Sequence, residues 1–456
     1  MLKKLGIQYF RGFYTRQDFE FAIPDCKNNG SGLTIVVGPN NSGKTTFIEA
    51  LTFHNDDGNA KRFNDSERHK RPPIIKLTDT NGITEKITNV NEGSQVRFVD
   101  SIRIETQIEC IASRRHWQSA YSGTQGHGQM VASSNKNVRN VGDPGTAQRL
   151  ATINLDAELR NSITNLMKRL VPNFSFWTVG TRDPAGDYIK YKTGNDIEHS
   201  IDMMGDGVIS LFRICQHLIV NEGDSTLVID EPELSLHPWA QKELHKIISE
   251  FAKNKQIIIV THSPLFVDWQ DFMNGAAIIR LNKPDDRKCI VSNLKKDSTY
   301  GNYISKNVND WQKPELLDTV SKEIMFSEKI LFVEGKEDVG ILRKWIKENS
   351  IKTNFDIFGY GVGGETQMEL FLKLSRDLGL SKTAALFDGN ATSYNACKSS
   401  YSDYHICKIS TDDIRDKFEG QIQTKVGTFT RKGELKDEQA VKFNKIFDEI
   451  VKYFDL

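Results

Sequence analysis

Two hydrophobic periodicities alternate along this chain. Leu5-Gly-Ile-Gln-Tyr-Phe-Arg-Gly-Phe13 and Phe19-Glu-Phe-Ala-Ile23 alternate apolar and polar positions and predict two strands near the start. Leu33–Val37, Thr226–Asp230, Gln256–Thr261, Lys329–Val333 and Thr383–Phe387 are short, nearly continuous apolar runs, the pattern of strands buried on both faces in a parallel sheet. Helical spacing follows several of them. Thr46–Leu51 reads as a helix start, and Ile209–Cys215 and Pro314–Phe326 read as helices. Leu155, Leu159, Ile163, Leu166, Met167 and Leu170 recur near a 3.6 period and predict an amphipathic helix over 155–170. Strands interleaved with helices predict an α/β fold, and 456 residues are enough for more than one domain.

Polar stretches interrupt the pattern. From 54 to 100 the chain turns polar, and from Ser113 to Gly145 it is richer still in Ser, Gly, Asn and basic residues. Arg114, Arg115, His116, Trp117 and Tyr121 mix cations with rings, which suits either a solvated loop or a surface for single-stranded nucleic acid. Residues 54–200 are read as a polar and helical insertion, too short for a long coiled-coil rod. No internal repeat is visible.

The chemistry lies at the ends of the apolar runs. Gly38-Pro39-Asn40-Asn41-Ser42-Gly43-Lys44-Thr45-Thr46 fits the phosphate-loop pattern between a strand and a helix. Its glycines let backbone N–H groups face a phosphate, and the helix N-terminus adds favourable partial charge. Lys44 is expected at the β- and γ-phosphates of ATP, and Thr45 at Mg²⁺. Asp230 and Glu231 end the run from Thr226, Asp230 as a second Mg²⁺ partner and Glu231 as the group that activates water. His262, at the end of the run from Gln256, is placed as a γ-phosphate sensor. Arg11 and Phe13 either reach nucleotide or lie on the strand surface.

Composition removes other classes. Lys+Arg and Asp+Glu are 60 each, so net charge does not point to nucleic acid. The six cysteines show no C-x-x-C spacing and are expected to be reduced thiols of a cytoplasmic protein. There is no signal-peptide core, and no apolar run approaches the ~18 residues of a membrane span.

The phosphate loop, Asp230-Glu231-Pro232 and Thr261-His262-Ser263 together resemble ATP-binding-cassette (ABC) ATPases, in particular the soluble branch of DNA-associated and defence proteins. That resemblance implies a signature segment presented by a second subunit. Met204-Gly205-Asp206-Gly207 before Ile209–Cys215 is its candidate, which implies a dimer of heads or a higher symmetric oligomer. Further on, Lys329-Ile-Leu-Phe-Val-Glu334-Gly-Lys-Glu-Asp338 resembles the entry motif of the Toprim fold. An ABC-type head over 1–312 followed by a smaller Toprim-like domain over 313–456 resembles the overcoming-lysogenization-defect (OLD) family and the ATPase component of PARIS-type phage-defence systems. Toprim nucleases gather carboxylates around Mg²⁺, here Glu334, Asp338 and Asp388, but Asn390 stands where a further carboxylate belongs. Asp412, Asp413 and Asp416 either supply acids or cap a helix start. The resemblance implies an ATPase sensor or scaffold in antiviral defence, with a separate effector and a phage-derived protein or DNA as trigger. A self-contained Mg²⁺-dependent DNA nuclease and a DNA-repair or chromosome-associated ATPase are the alternatives.

Overall fold

The computed structural model describes residues 1–55, 71–89, 96–98, 102–113, 150, 153–182, 186–194, 197–200, 205–220, 225–285, 288–307, 322–419 and 422–455. They form two compact units, Met1–Val37 with Gly43–Ile279, and Gly38–Ser42 with Arg280–Leu456. The sequence-expected boundary at 312/313 lies in 308–321, outside the described residues, as does most of the helix expected over Pro314–Phe326.

The first unit opens with β1 (Leu2–Gln8) and β2 (Gln17–Glu20), then β3 (Leu33–Val37) and α1 (Lys44–Thr52). β4 (Ile74–Asp79), β5 (Thr84–Asn89), β6 (Val96–Phe98) and β7 (Ile108–Ile111) follow, then α2 (Ala157–Leu170), β8 (Phe174–Arg182), β9 (Gly186–Thr193) and β10 (Glu198–Ser200). α3 (Asp206–Val220), β11 (Thr226–Asp230), α4 (Pro238–Phe251), β12 (Gln256–Val260) and α5 (Trp269–Asn274) complete it. Strands β3, β12, β11 and β7 lie side by side in that order, all parallel. Their apolar runs are almost wholly buried, as continuous hydrophobic strands in a covered sheet must be. An antiparallel sheet, β2-β1-β4-β5-β6, accompanies it.

Gln256 joins the two sheets. It is fully buried, and its Oε1 accepts from the Leu2 N–H (2.8 Å) and the Thr226 hydroxyl (2.6 Å). Its Nε2 donates to the carbonyls of Leu2 (2.6 Å) and Ala22 (2.9 Å). All four hydrogen-bonding positions of the amide are used, which is what lets it sit in a core.

The segment expected to be a polar, helical insertion has more strand than helix among its described residues. Ile74–Asp79 buries alternate residues beside β1, and β7 extends the parallel sheet next to β11. Polar residues on the outer face of a half-buried strand lower the average hydrophobicity without ending the strand. The amphipathic helix forms as α2, but Asp156 caps it by accepting from the N–H groups of Glu158 and Leu159, so Leu155 lies outside it and is exposed. Arg11 and Phe13 belong to a tight turn rather than a strand. Arg11 has φ 50° and pairs with Glu49, while Phe13 is fully buried and has no surface for a nucleotide.

β13 (Ala277–Asp285) carries the chain onward to β14 (Lys288–Leu294) and α6 (Thr299–Asn307). In the second unit a parallel sheet has the order β16-β15-β17-β18: β15 (Lys329–Val333), β16 (Asp356–Ile357), β17 (Lys382–Phe387) and β18 (His405–Lys408). Helices α7 (Lys336–Glu348), α8 (Glu365–Asp377) and α9 (Tyr394–Ser400) alternate with these strands. β19 (Asp413–Arg415) pairs in parallel with β22 (Gly427–Phe429), and the hairpin β20 (Lys417–Glu419) and β21 (Ile422–Lys425) lies between them in sequence. The last helix, α10 (Asp437–Asp455), buries Phe443, Phe447, Ile450 and Phe454, spaced by three or four residues on one face. Trp345 of α7 meets Phe443 and Phe447 edge-on at 5.0 and 4.9 Å, locking α7 and α10 into one core.

Candidate functional site: a phosphate loop with Glu231 and His262, and a carboxylate group in the second unit

The first candidate site lies where β3, β11 and β12 end. Residues Gly38–Gly43 link β3 to α1, and Gly38, Asn41 and Gly43 have φ of 147°, 62° and 104°. Left-handed positions interspersed in this way turn successive N–H groups inward, the geometry of an anion nest. α1 begins at Lys44 with no side-chain cap hydrogen bond from Gly43 and no acidic residue in its first turn, so no carboxylate there opposes an anion at its N-terminus. Lys44 and Thr46 are buried and Thr45 is exposed, while Asn40 and Asn41 form the exposed crown of the loop. These residues fit a nucleotide phosphate.

Asp230 closes β11 and Glu231 follows it with φ 47°, a left-handed backbone that costs a non-glycine residue about 1–3 kcal/mol. The Glu231 N–H donates to the Val260 carbonyl at 2.7 Å, which holds that conformation against the end of β12. Glu231 Oε1 lies 3.8 Å from His262 Nε2. Burial lowers the His262 pKa below its usual 6.5 and the charge on Lys44 lowers it further, with Glu231 opposing both. Lys44, Glu231 and His262 therefore share one electrostatic neighbourhood.

Glu233 is a residue that the sequence pattern gave no role. Its Oε1 accepts the His262 N–H at 2.6 Å and its Oε2 accepts the Thr261 hydroxyl at 2.8 Å. Burial raises its pKa, and these hydrogen bonds hold the rise back. A carboxylate two residues past Glu231 is the only sequence signal, and a turn acid looks the same.

The signature candidate is partly described. Met204 lies outside the described residues; Gly205 and Asp206 are exposed and α3 starts at Asp206. Gly205 has open space where a Cβ would stand, whereas a Cβ on Gly207 would run into the Ser235 carbonyl of its own chain. Arg114, Arg115, His116, Trp117 and Tyr121 lie outside the described residues.

In the second unit, Glu334 follows β15, Asp388 follows β17, Asp338 sits in the first turn of α7 and Asp413 opens β19. The Glu334 carboxylate accepts the Asp388 N–H at 2.8 Å, and Asp338 accepts the Gly335 N–H at 2.8 Å. Gly361, at φ 72°, lets its loop pass so close to the Gly335 backbone that a Cβ would overlap it. Burial pushes Asp388 up to about 8, helped by the charges on Asp338, Glu334 and Asp413. Burial likewise lifts Asp338 to about 6, with Asp413 and Glu334 adding to it, and raises Glu334. Asp413 goes the other way: burial raises it, but hydrogen bonds from Lys417 and Lys425 outweigh that and leave it lowered. Asp412, Asp413 and Asp416 cap no helix here, since β19 starts at Asp413 and Asp416 accepts from Gly427 N–H and Lys436.

The fit of this group to Mg²⁺ is poor. Asn390 is exposed and neutral, Asp413 is taken by two lysines, and among the described residues no three or more His, Cys, Asp or Glu are arranged to hold a metal ion. Cys215, Cys289, Cys397 and Cys407 are buried, and among the described residues no helix is long and apolar enough to cross a membrane.

Known proteins share these parts. An "AAA domain" model described with the AbiEii toxin and Type IV TA systems matches residues 99–268, and a second AAA domain model matches residues 4–168. The TOPRIM domain of overcoming lysogenization defect protein-like chains matches residues 325–389. An OLD nuclease of Thermus scotoductus is 30% identical over 171 residues, 35% of this chain and 31% of the relative. ABC transporter A family member 12 of Arabidopsis thaliana is 25% identical over 229 residues, 47% of this chain and 22% of that one. The chain thus spans less than a third of the length of these relatives. The SMC head domain from Thermotoga maritima superposes with a TM-score of 0.39 at 14% identity, over 64% of this chain and 99% of that one, a likeness too slight to carry weight. An AAA-type ATPase region followed by a match to the TOPRIM domain of overcoming lysogenization defect protein-like chains, together with the partial match to an OLD nuclease, makes the chain similar to that family in domain content and order.

Proposed function

We propose that the chain is an ATP-binding and ATP-hydrolysing switch of the ABC class. The single observation that carries this reading is the 3.8 Å approach of Glu231 to His262 in the electrostatic reach of Lys44, at the ends of parallel strands beside a phosphate loop. ATP with Mg²⁺ supplies the transferable phosphoryl group and a charge-neutralising cation. Gly38, Pro39, Asn40, Asn41, Ser42 and Gly43 would wrap the phosphates with their backbone, with Thr46 behind them and the Lys44 ammonium as their counter-charge. Thr45 and Asp230 would hold Mg²⁺. Glu231 accepts the proton of the attacking water, and neutral His262 contacts the γ-phosphate. Met204, Gly205, Asp206 and Gly207 of a second copy complete the site in this reading, so the working form is a dimer of heads or a higher symmetric oligomer.

The same reading makes the chain a cytoplasmic sensor or scaffold of a bacterial antiphage system, of the PARIS type, that holds a separate effector and answers to a phage-derived protein or DNA. Its support is a Toprim domain in which Asn390 replaces a carboxylate and lysines cover Asp413. A second reading, a Mg²⁺-dependent DNA nuclease of the OLD type, is favoured by the gathering of Glu334, Asp338 and Asp388. Phosphate release and nucleotide binding test the first: Lys44→Ala should lose binding, and Glu231→Gln should bind ATP but turn it over about 10²-fold more slowly or worse. Parent-rate hydrolysis by Glu231→Gln would sink it. Plasmid nicking by the parent protein, lost in Glu334→Ala while ATP turnover persists, would install the second.

A further inference from the structure

The hairpin β20–β21 places two lysines on one buried carboxylate. Lys417 Nζ lies 2.6 Å and Lys425 Nζ 3.1 Å from the same oxygen, Oδ2 of Asp413, whose side chain is only 1% exposed. Lys417 and Lys425 are also direct cross-strand partners in the hairpin. Like charges facing each other across an antiparallel pair are destabilising unless an anion sits between them. Asp413 is that anion.

The rest of the hairpin is built to keep it there. Asp416, between β19 and β20, accepts from Gln423 Nε2 at 2.8 Å, from the Gly427 N–H at 2.9 Å and from Lys436 at 2.7 Å, fixing the base of the hairpin. Arg415 forms two bonds to Glu337 in the first turn of α7, at 3.0 and 2.6 Å, tying β19 to the helix that carries Asp338. The other oxygen of Asp413 is buried and has no hydrogen-bond partner. One oxygen is thus saturated by ammonium groups and the other is left bare.

We propose that Lys417 and Lys425 form a tethered cation lock, which occupies Asp413 and keeps the Glu334–Asp338–Asp388–Asp413 group closed to divalent metal. A tethered ammonium has the charge to neutralise a carboxylate but no coordination positions to share. While it holds Asp413 the carboxylates lack the common centre that an ion requires. The poor fit of this group to Mg²⁺ is then a property of the hairpin, not only of Asn390. The lock rests on the reading that the second unit does not cleave by itself. DNA cutting by the parent protein would refute that reading, whereas failure of the lysine variants below would refute the lock alone.

The test is Mn²⁺ binding to the full-length chain without nucleotide, followed by the electron paramagnetic resonance of free Mn²⁺. The parent should bind weakly. Lys417→Gln/Lys425→Gln should gain a site at least about tenfold tighter, and adding Asp388→Asn should remove the gain. Lys417→Arg/Lys425→Arg, which keeps both charges, should stay closed. Circular dichroism and ATP turnover report folding. Should the double variant unfold, each single Lys→Gln change must show part of the gain. Equal Mn²⁺ affinity in parent and folded Gln variants overturns the proposal, as does a tight, Asp388-dependent site in the parent.

Discussion

The Glu233 carboxylate accepts the backbone N–H of His262 at 2.6 Å while its second oxygen accepts the Thr261 hydroxyl at 2.8 Å. One side chain from the segment after β11 thereby fixes the exit of β12. His262 is held at its backbone, independently of what its ring touches, and Glu231 is held by the reciprocal bond from its own N–H to Val260. The two strand ends that carry the proposed catalytic groups are cross-linked in both directions.

Glu233→Ala should therefore lower the turnover of ATP about tenfold with little change in KM, the signature of a positioning loss rather than a binding loss. Glu233→Gln keeps one acceptor oxygen, enough for the His262 N–H, but loses the second acceptor that the Thr261 hydroxyl uses, and should fall between parent and Ala. Steady-state phosphate release over a range of ATP concentrations checks this. A change confined to KM would place Glu233 in nucleotide binding instead.

Turnover should also have an acid limb set below the ordinary histidine range. Burial and Lys44 lower the His262 pKa from 6.5, so the ring stays neutral at and somewhat below that pH and gains its proton only further down. The kcat profile should be flat from neutral pH to about the free-histidine value and fall beneath it, and His262→Gln should lower the plateau and remove the limb. A limb centred above the ordinary histidine pKa would mean the ring is stabilised as a cation and the sign is reversed.

The sequence announced the strand ends and left their cross-links silent. Leu33–Val37, Thr226–Asp230 and Gln256–Val260 were legible because continuous apolar runs of that length have few other homes. The phosphate loop was legible because glycine spacing encodes backbone shape. Glu233 and Gln256 were not, since their roles depend on partners dozens to hundreds of residues away, and nothing local marks a buried acid or amide. β4 was hidden for a related reason: its polar face masked a strand pattern that only the neighbouring strand β1 makes decisive. For Asp413 the sequence leaves a metal-site acid and a helix cap equally open, because the two lysines that bind it lie four and twelve residues further on, in a hairpin.

The two signature glycines should behave differently. Gly205 stands in open space, so Gly205→Arg should fold and bind ATP as a monomer yet lose turnover and head pairing if the segment completes a second copy's site. Gly207→Arg must displace the Ser235 carbonyl beside the proposed ATP site and should lower stability as well, making it the poorer probe. Light scattering with ATP-loaded Glu231→Gln, with and without Gly205→Arg, measures the pairing. Pairing and turnover unaffected by Gly205→Arg would remove this segment from the site.

Asp388 gives a stability prediction with a definite sign. Its pKa is raised from 3.8 to about 8, by burial first and by Asp338, Glu334 and Asp413 next. The folded chain thus holds this proton where the unfolded chain has released it. The stabilisation from protonated Asp388 is complete below 3.8 and is lost progressively as pH rises through about 8. Asn at this position is neutral at every pH and keeps the backbone N–H that Glu334 accepts. Asp388→Asn should therefore melt like the parent only at pH 3.8 and below, and become progressively the more stable protein as the pH rises from there toward about 8. The gain, shared among coupled carboxylates, is on the order of 1–3 kcal/mol, a rise of several degrees in Tm for a unit of this size. Parallel melting curves for parent and variant across that range would show that Asp388 is already ionised in the fold and that its neighbours, Lys417 foremost, neutralise it.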